Sequence, residues 1–283
     1  MRTANIDGRL VLAVAGGYLD VAQASGGAFG SDPQEIYADW DSFVEWAATV
    51  DANAHPLVEL SEATVWGAPV PRPRQVFAIG LNYREHAAES NLAPPATPAV
   101  FTKFPTSLTG HEQAVTHPGG SVDWEVELVV VIGRRCDFVG EADAWDHVAG
   151  VTVGQDLSER QLQRSGPAPQ FSLAKSYRGF APLGPEVVTA DELPDRDDLE
   201  IGCRLEGGEV LQKGRTADLI FSIPQLIAHL SSVCPLLPGD IIFTGTPSGV
   251  GGARKPPKFL EPGDVLVSWV GGVGTLRNPI VAR

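Results

Sequence analysis

Cysteine is scarce in this sequence. Cys136, Cys203 and Cys234 are odd in number and widely spaced, which excludes a disulfide framework and a Cys-x-x-Cys metal pattern and leaves buried thiols as the expectation. Basic residues are also few: 21 Lys and Arg stand against 35 Asp and Glu, a formal net charge of −14. Phosphate backbones and anionic membrane surfaces require the opposite balance, so neither nucleic acid nor membrane is an expected partner. No apolar run approaches the roughly 20 residues of a bilayer span. The opening residues, with one early Arg and then Asp7 before a short apolar stretch, make a poor secretory leader, so a cytoplasmic protein is expected.

What is present is ordinary for a globular chain. Hydrophobic residues make up 43% of the 283 residues and charged residues 20%, which excludes a disordered chain and suits one large domain or a large domain with a small one. Residues 1–70 read as a small leading unit. Arg9 to Ala15 and Gly17 to Val21 form a hairpin pattern about a Gly-Gly turn, and a helix is expected from Pro33 to Thr49 with Asp32 as its N-cap. Pro69, Pro71 and Pro73 then make a stiff connector, and a boundary is placed there, with residues 71–283 as the catalytic unit.

Beyond Gln75 the pattern is rich in strands. Short strands are expected at Val76–Gly80, Ala99–Phe101, Val126–Gly133, Gly150–Gln155, Glu200–Glu206, Asp240–Thr244, Val265–Val270 and Gly274–Val281. Helices are fewer: Asn82–Ser90, Ser158–Arg164, and Ile223–Ser232, where Ser222 with Gln225 fits a capping box. Strands and helices do not alternate regularly, so a doubly wound sheet is not expected; an α+β, mostly β, roll or sandwich-like domain is.

Four segments carry candidate chemistry. In Val122-Asp-Trp-Glu-Val-Glu-Leu-Val-Val-Val-Ile-Gly133, Glu125 and Glu127 share one face of a strand, with Cα atoms roughly 7 Å apart. An edge strand with a wet face is one reading. The run Leu128–Ile132, apolar on both faces, instead marks a buried strand, where two adjacent carboxylates need a hard divalent cation. Asp156 follows the apolar strand ending at Gln155 and is either a third ligand or a helix N-cap. Zinc is disfavoured by the lack of His and Cys nearby. His86 and Glu89 lie at helical i, i+3 spacing, as a surface ion pair or as an oriented general base. Lys175, one of only five lysines, sits in an apolar stretch, as a snorkelling side chain or partly buried beside acids. Asp240 to Gly252 reads as a strand entering a Gly-rich loop that lacks P-loop and Rossmann signatures; it is a plain turn or a cradle for an anion.

In their order, GLNYREHAAES, VDWEVELVVVIG, QDLSERQLQ, SLAKSYRGFAPLGP and LLPGDIIFTGTPSGVG resemble the fumarylacetoacetate hydrolase superfamily, over about Gln75 to Ile280. The resemblance implies a mixed β-roll, a homodimer, and Mg²⁺ or Mn²⁺ held by Glu125, Glu127 and Asp156. It also implies Lys175 beside the metal, Thr246 and Gln163 on the substrate, and a His86–Glu89 dyad as in hydrolytic members. Gln155 before Asp156 and Arg160-Gln161 depart from the usual family pattern. An acidic protein that binds a small anionic oxo acid needs local positive charge, for which the metal cation, Lys175, Arg84 and Lys103 are the available sources. The expected reaction is metal-dependent C–C hydrolysis of a 2,4-dioxo acid, with water activated by His86 and Glu89. Decarboxylation of oxaloacetate-like acids and isomerisation of 2-hydroxymuconate-type diacids use the same centre, and a non-catalytic metal-binding protein is the alternative of another class. The substrate tail is assigned to the loops 91–98, 165–170 and 251–259.

Overall fold

A computed structural model describes residues 1–90 and 92–283; Asn91, at the start of one expected tail-binding loop, lies outside the described residues. The fold is a mostly β α+β architecture. Its axis is the strand Val126–Ile132, every residue of which is buried. Its alternating side chains serve two cores. Val126, Leu128, Val130 and Ile132 face one core, shared with Val151, Val153, Ile201, Leu266 and the helix Ile223–Ser231. Val129 and Val131 face the other, shared with Phe243, Phe43 and Trp40. A run apolar on both faces is what a strand covered from both sides requires.

Among the described residues one sheet has 11 strands. Val126–Ile132 lies antiparallel to both Val148–Gln155 and Ile241–Phe243. Val76–Gly80 runs parallel to Ile241–Phe243 and antiparallel to Ala99–Thr102, the last strand on that side. A second sheet of five strands includes Glu200–Leu205, Val265–Val270 and Gly274–Val281, and packs over the first core.

The leading residues do not build a sheet of their own. Arg2–Ile6, Arg9–Val14 and Gly17–Asp20 continue the large sheet, with Arg2 opposite Val188 of the strand Ala181–Val188. The expected division into units 1–70 and 71–283 is therefore not a division between sheets; the proline connector joins segments of one sheet. The helix expected over Pro33–Thr49 is broken into a 3₁₀ turn, Glu35–Asp39, and a helix, Trp40–Ala47. Asp32 caps no helix: its carboxylate accepts the Gln34 N–H in a local turn and pairs with Arg72. The capping box at Ser222 and Gln225 is present as expected.

Candidate active site

Glu125 and Glu127 stand at the start of the central strand, and Asp156 directly follows the neighbouring strand, where Val126 pairs with Gln155. The Asp156 N–H donates to the Glu125 carbonyl at 2.8 Å, which ties the two strand ends together. One carboxylate oxygen from each of Glu125, Glu127 and Asp156 lies within 4.8 Å of the others, and all three residues are buried. Oxygen donors at this spacing are those of a hard divalent-cation site.

Cations offset this charge. The Lys175 ammonium donates to Glu125 at 2.8 Å, to Asp156 at 2.7 Å and to the Ser158 hydroxyl at 2.8 Å. Burial disfavours its charge, but Asp156 and Glu125 outweigh burial and its pKa is raised. Burial alone would likewise raise the Glu125 carboxyl; Lys175 and Arg160 overcome this and hold it at about 2. Among the described residues Glu127 has no ion-pair partner and accepts one hydrogen bond, from the Gly245 N–H at 2.7 Å. Gly245 presents that N–H from a left-handed conformation (φ 107°) that favours glycine. Burial, Asp156 and Glu125 push the Glu127 carboxyl well above its ordinary range. A buried carboxylate between two others, with one backbone donor and no cation, fits a missing positive ion at that point.

The His86–Glu89 pair sits on the short helix Arg84–Glu89. His86 Nδ1 and Glu89 Oε1 are 2.7 Å apart, and Glu89 Oε2 accepts the Gly249 N–H at 2.8 Å. This holds the carboxylate still and leaves Nε2 as the free ring nitrogen. Both side chains line a cleft of about 1510 Å³ that also contains Glu125, Glu127, Lys175 and Thr246, with an apolar wall that includes Phe101 and Phe171. The sequence-predicted dyad, the lysine, Glu125 and Glu127 therefore converge on one cavity, with Asp156 buried behind its wall against the two glutamates, and the buried carboxylates exclude the wet edge strand.

Other expectations are corrected. Lys103 does not contact the cleft. It is fully buried, donates to Asp156 at 2.6 Å and to the Lys175 carbonyl, and so supports one member of the acid triad from behind. Arg84 is exposed and does not line the cleft either, because its place at the first turn of the short helix turns it to solvent. Thr246 and Gln163 do line it. The Thr246 hydroxyl donates to the Val126 carbonyl and accepts from Gln212, each at 2.8 Å, so its first task is to hold the loop against the central strand. Lys175 spends its three N–H bonds on protein oxygens, which makes it a counter-charge rather than a donor to substrate.

Sequence reasoning missed Arg160 and Asp123. Arg160 donates to Asp123 at 2.8 Å, to Glu125 at 2.7 Å and to the Gln163 carbonyl oxygen of its side-chain amide at 2.9 Å. Asp123 also accepts the N–H groups of Gly251 and Gly252, at 2.7 and 2.8 Å. One carboxylate thus anchors both the arginine and the Gly-rich loop. The only sequence signal was an acidic residue inside an otherwise buried stretch. Four buried carboxylates (Asp123, Glu125, Glu127, Asp156) face three buried cations (Lys103, Arg160, Lys175). A dication here would make the pocket net positive inside an acidic protein.

Residues 75–281 match the family model for the fumarylacetoacetate (FAA) hydrolase C-terminal domain. The chain belongs to this family. It is 43% identical over 228 residues to the human mitochondrial oxaloacetate tautomerase FAHD2A, covering 80% of this chain and 72% of that protein. An HpcE-like protein from Mycobacterium smegmatis has a crystal structure with TM-score 0.95 and 55% identity, over 100% of this chain and 99% of that one. Maleylpyruvate hydrolase from Sphingobium sp. SYK-6, in complex with manganese(II) and pyruvate, gives TM-score 0.80 and 29% identity over 100% and 99% of the two chains. The family thus includes enzymes of more than one reaction type on this fold, among them one that holds a divalent metal. No helix among the described residues is long and apolar enough to cross a membrane.

Proposed function

We propose that this protein transfers a proton at the carbon next to the ketone of a 2-oxo dicarboxylic acid, interconverting its keto and enol forms, as a Mg²⁺- or Mn²⁺-dependent enzyme. The observation that carries the reading is the His86–Glu89 dyad, held at 2.7 Å on the wall of the cleft that Glu125 and Glu127 line, a base placed beside the acid triad. The likeness to an oxaloacetate tautomerase supports the same reaction class. Held by Glu125, Glu127 and Asp156, the ion would supply chelation of adjacent carboxylate and 2-oxo oxygens and draw electrons from the carbonyl. His86 does the proton work. With Nδ1–H donated to Glu89, Nε2 takes the proton from the substrate carbon and returns it to the enol oxygen or the carbon. Lys175 and Lys103 keep the ligand carboxylates from repelling one another, and Arg160 fixes Glu125. Phe101 and Phe171 give the cleft an apolar wall beside the reacting carbon.

The hydrolytic reading, in which the same Nε2 deprotonates a water that attacks a 2,4-dioxo acid, rests on the size of the cleft, which exceeds what a four-carbon diacid fills, and on the likeness to maleylpyruvate hydrolase. A dyad does not by itself favour hydrolysis, because removal of a carbon-bound proton needs a base as much as water activation does. Our reading includes a homodimer in the cytoplasm; exposed Phe104, Phe171 and Leu173 near the cleft support self-association, which sedimentation checks. The test of the reaction is deuterium uptake at C3 of oxaloacetate in D₂O with Mg²⁺ or Mn²⁺, followed by NMR against a protein-free control, beside acylpyruvate loss followed by ultraviolet absorbance. His86→Ala should slow exchange about 10²–10⁴-fold. Exchange at the wild-type rate in that variant removes the base, and faster acylpyruvate loss replaces tautomerisation with hydrolysis.

A further inference from the structure

The wall of the cleft also carries positive charge outside the dyad and the acid triad. Arg164 follows the helix Arg160–Gln163, and Lys255 follows the Gly-rich loop. Both line the cleft and both are exposed. Among the described residues neither pairs with a carboxylate, whereas nearby cations are committed: Arg160 to Asp123 and Glu125, Arg254 and Lys258 to Glu209. Gly252 lies between the two arginines. A Cβ built on it would stand 3.2 Å from Oδ2 of Asp123, the partner of Arg160, 3.7 Å from Nε of Arg160 and 3.7 Å from Nη2 of Arg164. The inner guanidinium therefore belongs to the metal ligands, and the outer one, a short step away, is free. Phe101, Phe171 and Leu173 supply apolar surface along the same cleft.

We propose that Arg164 and Lys255 bind the carboxylate of the substrate that lies remote from the chelated 2-oxo acid head, and so set the preference for diacids over monoacids. The proposal rests on the reading of the site given above. A guanidinium offers the planar paired donors that a carboxylate accepts, and a lysine adds a mobile point charge. Gly252 puts no side chain beside the Arg164 guanidinium, whose outer face is left to the cleft, and the carbon chain crosses the aromatic wall. In a chain of net charge −14, two uncommitted cations on one cleft give an anion its local attraction without long-range steering.

The test titrates Mn²⁺-loaded protein calorimetrically with 2-oxoglutarate, a diacid, and 2-oxobutyrate, a monoacid with the same head. Wild type should prefer the diacid. In Arg164→Gln with Lys255→Gln the diacid-over-monoacid preference should fall about 10–100-fold, the effect expected for lost charged hydrogen bonds, while Arg164→Lys keeps part of it. With oxaloacetate and its 4-ethyl ester, the same variants should show the change in the KM ratio. Equal wild-type affinity for the two acids, or a preference that survives the double substitution, overturns the proposal. If wild type binds neither acid, the reading of the metal site fails and takes this proposal with it. If the diacid preference is present and lost as expected but no proton exchange occurs, the proposal stands and only the proposed reaction falls.

Discussion

Lys103 shows how the site places charge where water cannot reach. Its ammonium is fully buried and its pKa is lowered: burial is the largest cause, and Asp156 only partly compensates. Removing it would leave Oδ1 of Asp156 buried without its donor, while Lys175 still holds Oδ2. We predict that Lys103→Met destabilises the protein by about 3–5 kcal/mol, the cost of breaking a buried pair, in a denaturant titration. Glu127 behaves in the opposite sense. It is buried against two other acids without a cation, so Glu127→Gln should leave the metal-free protein as stable as wild type or about 1–2 kcal/mol more so, since a neutral amide relieves the repulsion. The same variant should lose Mg²⁺ and Mn²⁺ binding in a calorimetric titration. A clear loss of stability in EDTA would contradict this account of Glu127.

Elements built by local rules were legible in the sequence; elements built by distant partners were not. Val76–Gly80, Val265–Val270 and Gly274–Val281 match expectation because their patterns and flanking turns are self-contained. Ala181–Val188 escaped detection because Pro182, Gly184 and Pro185 interrupt it, yet it joins the leading hairpin to the core through register irregularities. In the site, Glu125 with Glu127 and His86 with Glu89 followed from period-2 and i, i+3 spacing. Asp123 with Arg160 spans 37 residues, and no local period reports such a pair. Lys103 was misassigned because a sequence does not say which side of an aspartate a lysine approaches. Asp20 gives a test at this scale. It caps the helix Val21–Ala24 and pairs with Arg9; burial raises its pKa, but the Arg9 and backbone hydrogen bonds prevail and the net shift is downward. A carboxyl with a depressed folded pKa stabilises above its unfolded value, about 3.9, and loses that contribution as pH falls through the folded value. Asp20→Asn keeps the cap and removes the charge, so it should cost about 0.5–1 kcal/mol at pH 7 and progressively less below pH 4, measured by urea unfolding across pH.

For the molecule as a whole, an ion held by the acid triad, as proposed above, would be a linkage partner of the fold. Its ligands come from the ends of two adjacent strands in an 11-stranded sheet, so unfolding dismantles the site. Mg²⁺ or Mn²⁺ at a hundred times its dissociation constant should add about 2.7 kcal/mol of stability, and EDTA should reverse the resulting rise in melting temperature. An unchanged melting temperature would separate the acids from any metal role. The pairing of Val126 with Gln155 carries one more consequence. Side chains on a strand reverse direction at every residue. A slip of a single position along this ladder would aim Val126 at the ion and send Glu125 and Glu127 into the hydrocarbon between the sheets. A chain aligned one residue out of step would lose the acid cluster and bury two carboxylates in an apolar core at the same time, so the chemistry of this centre and the alignment of its sheet stand or fall together.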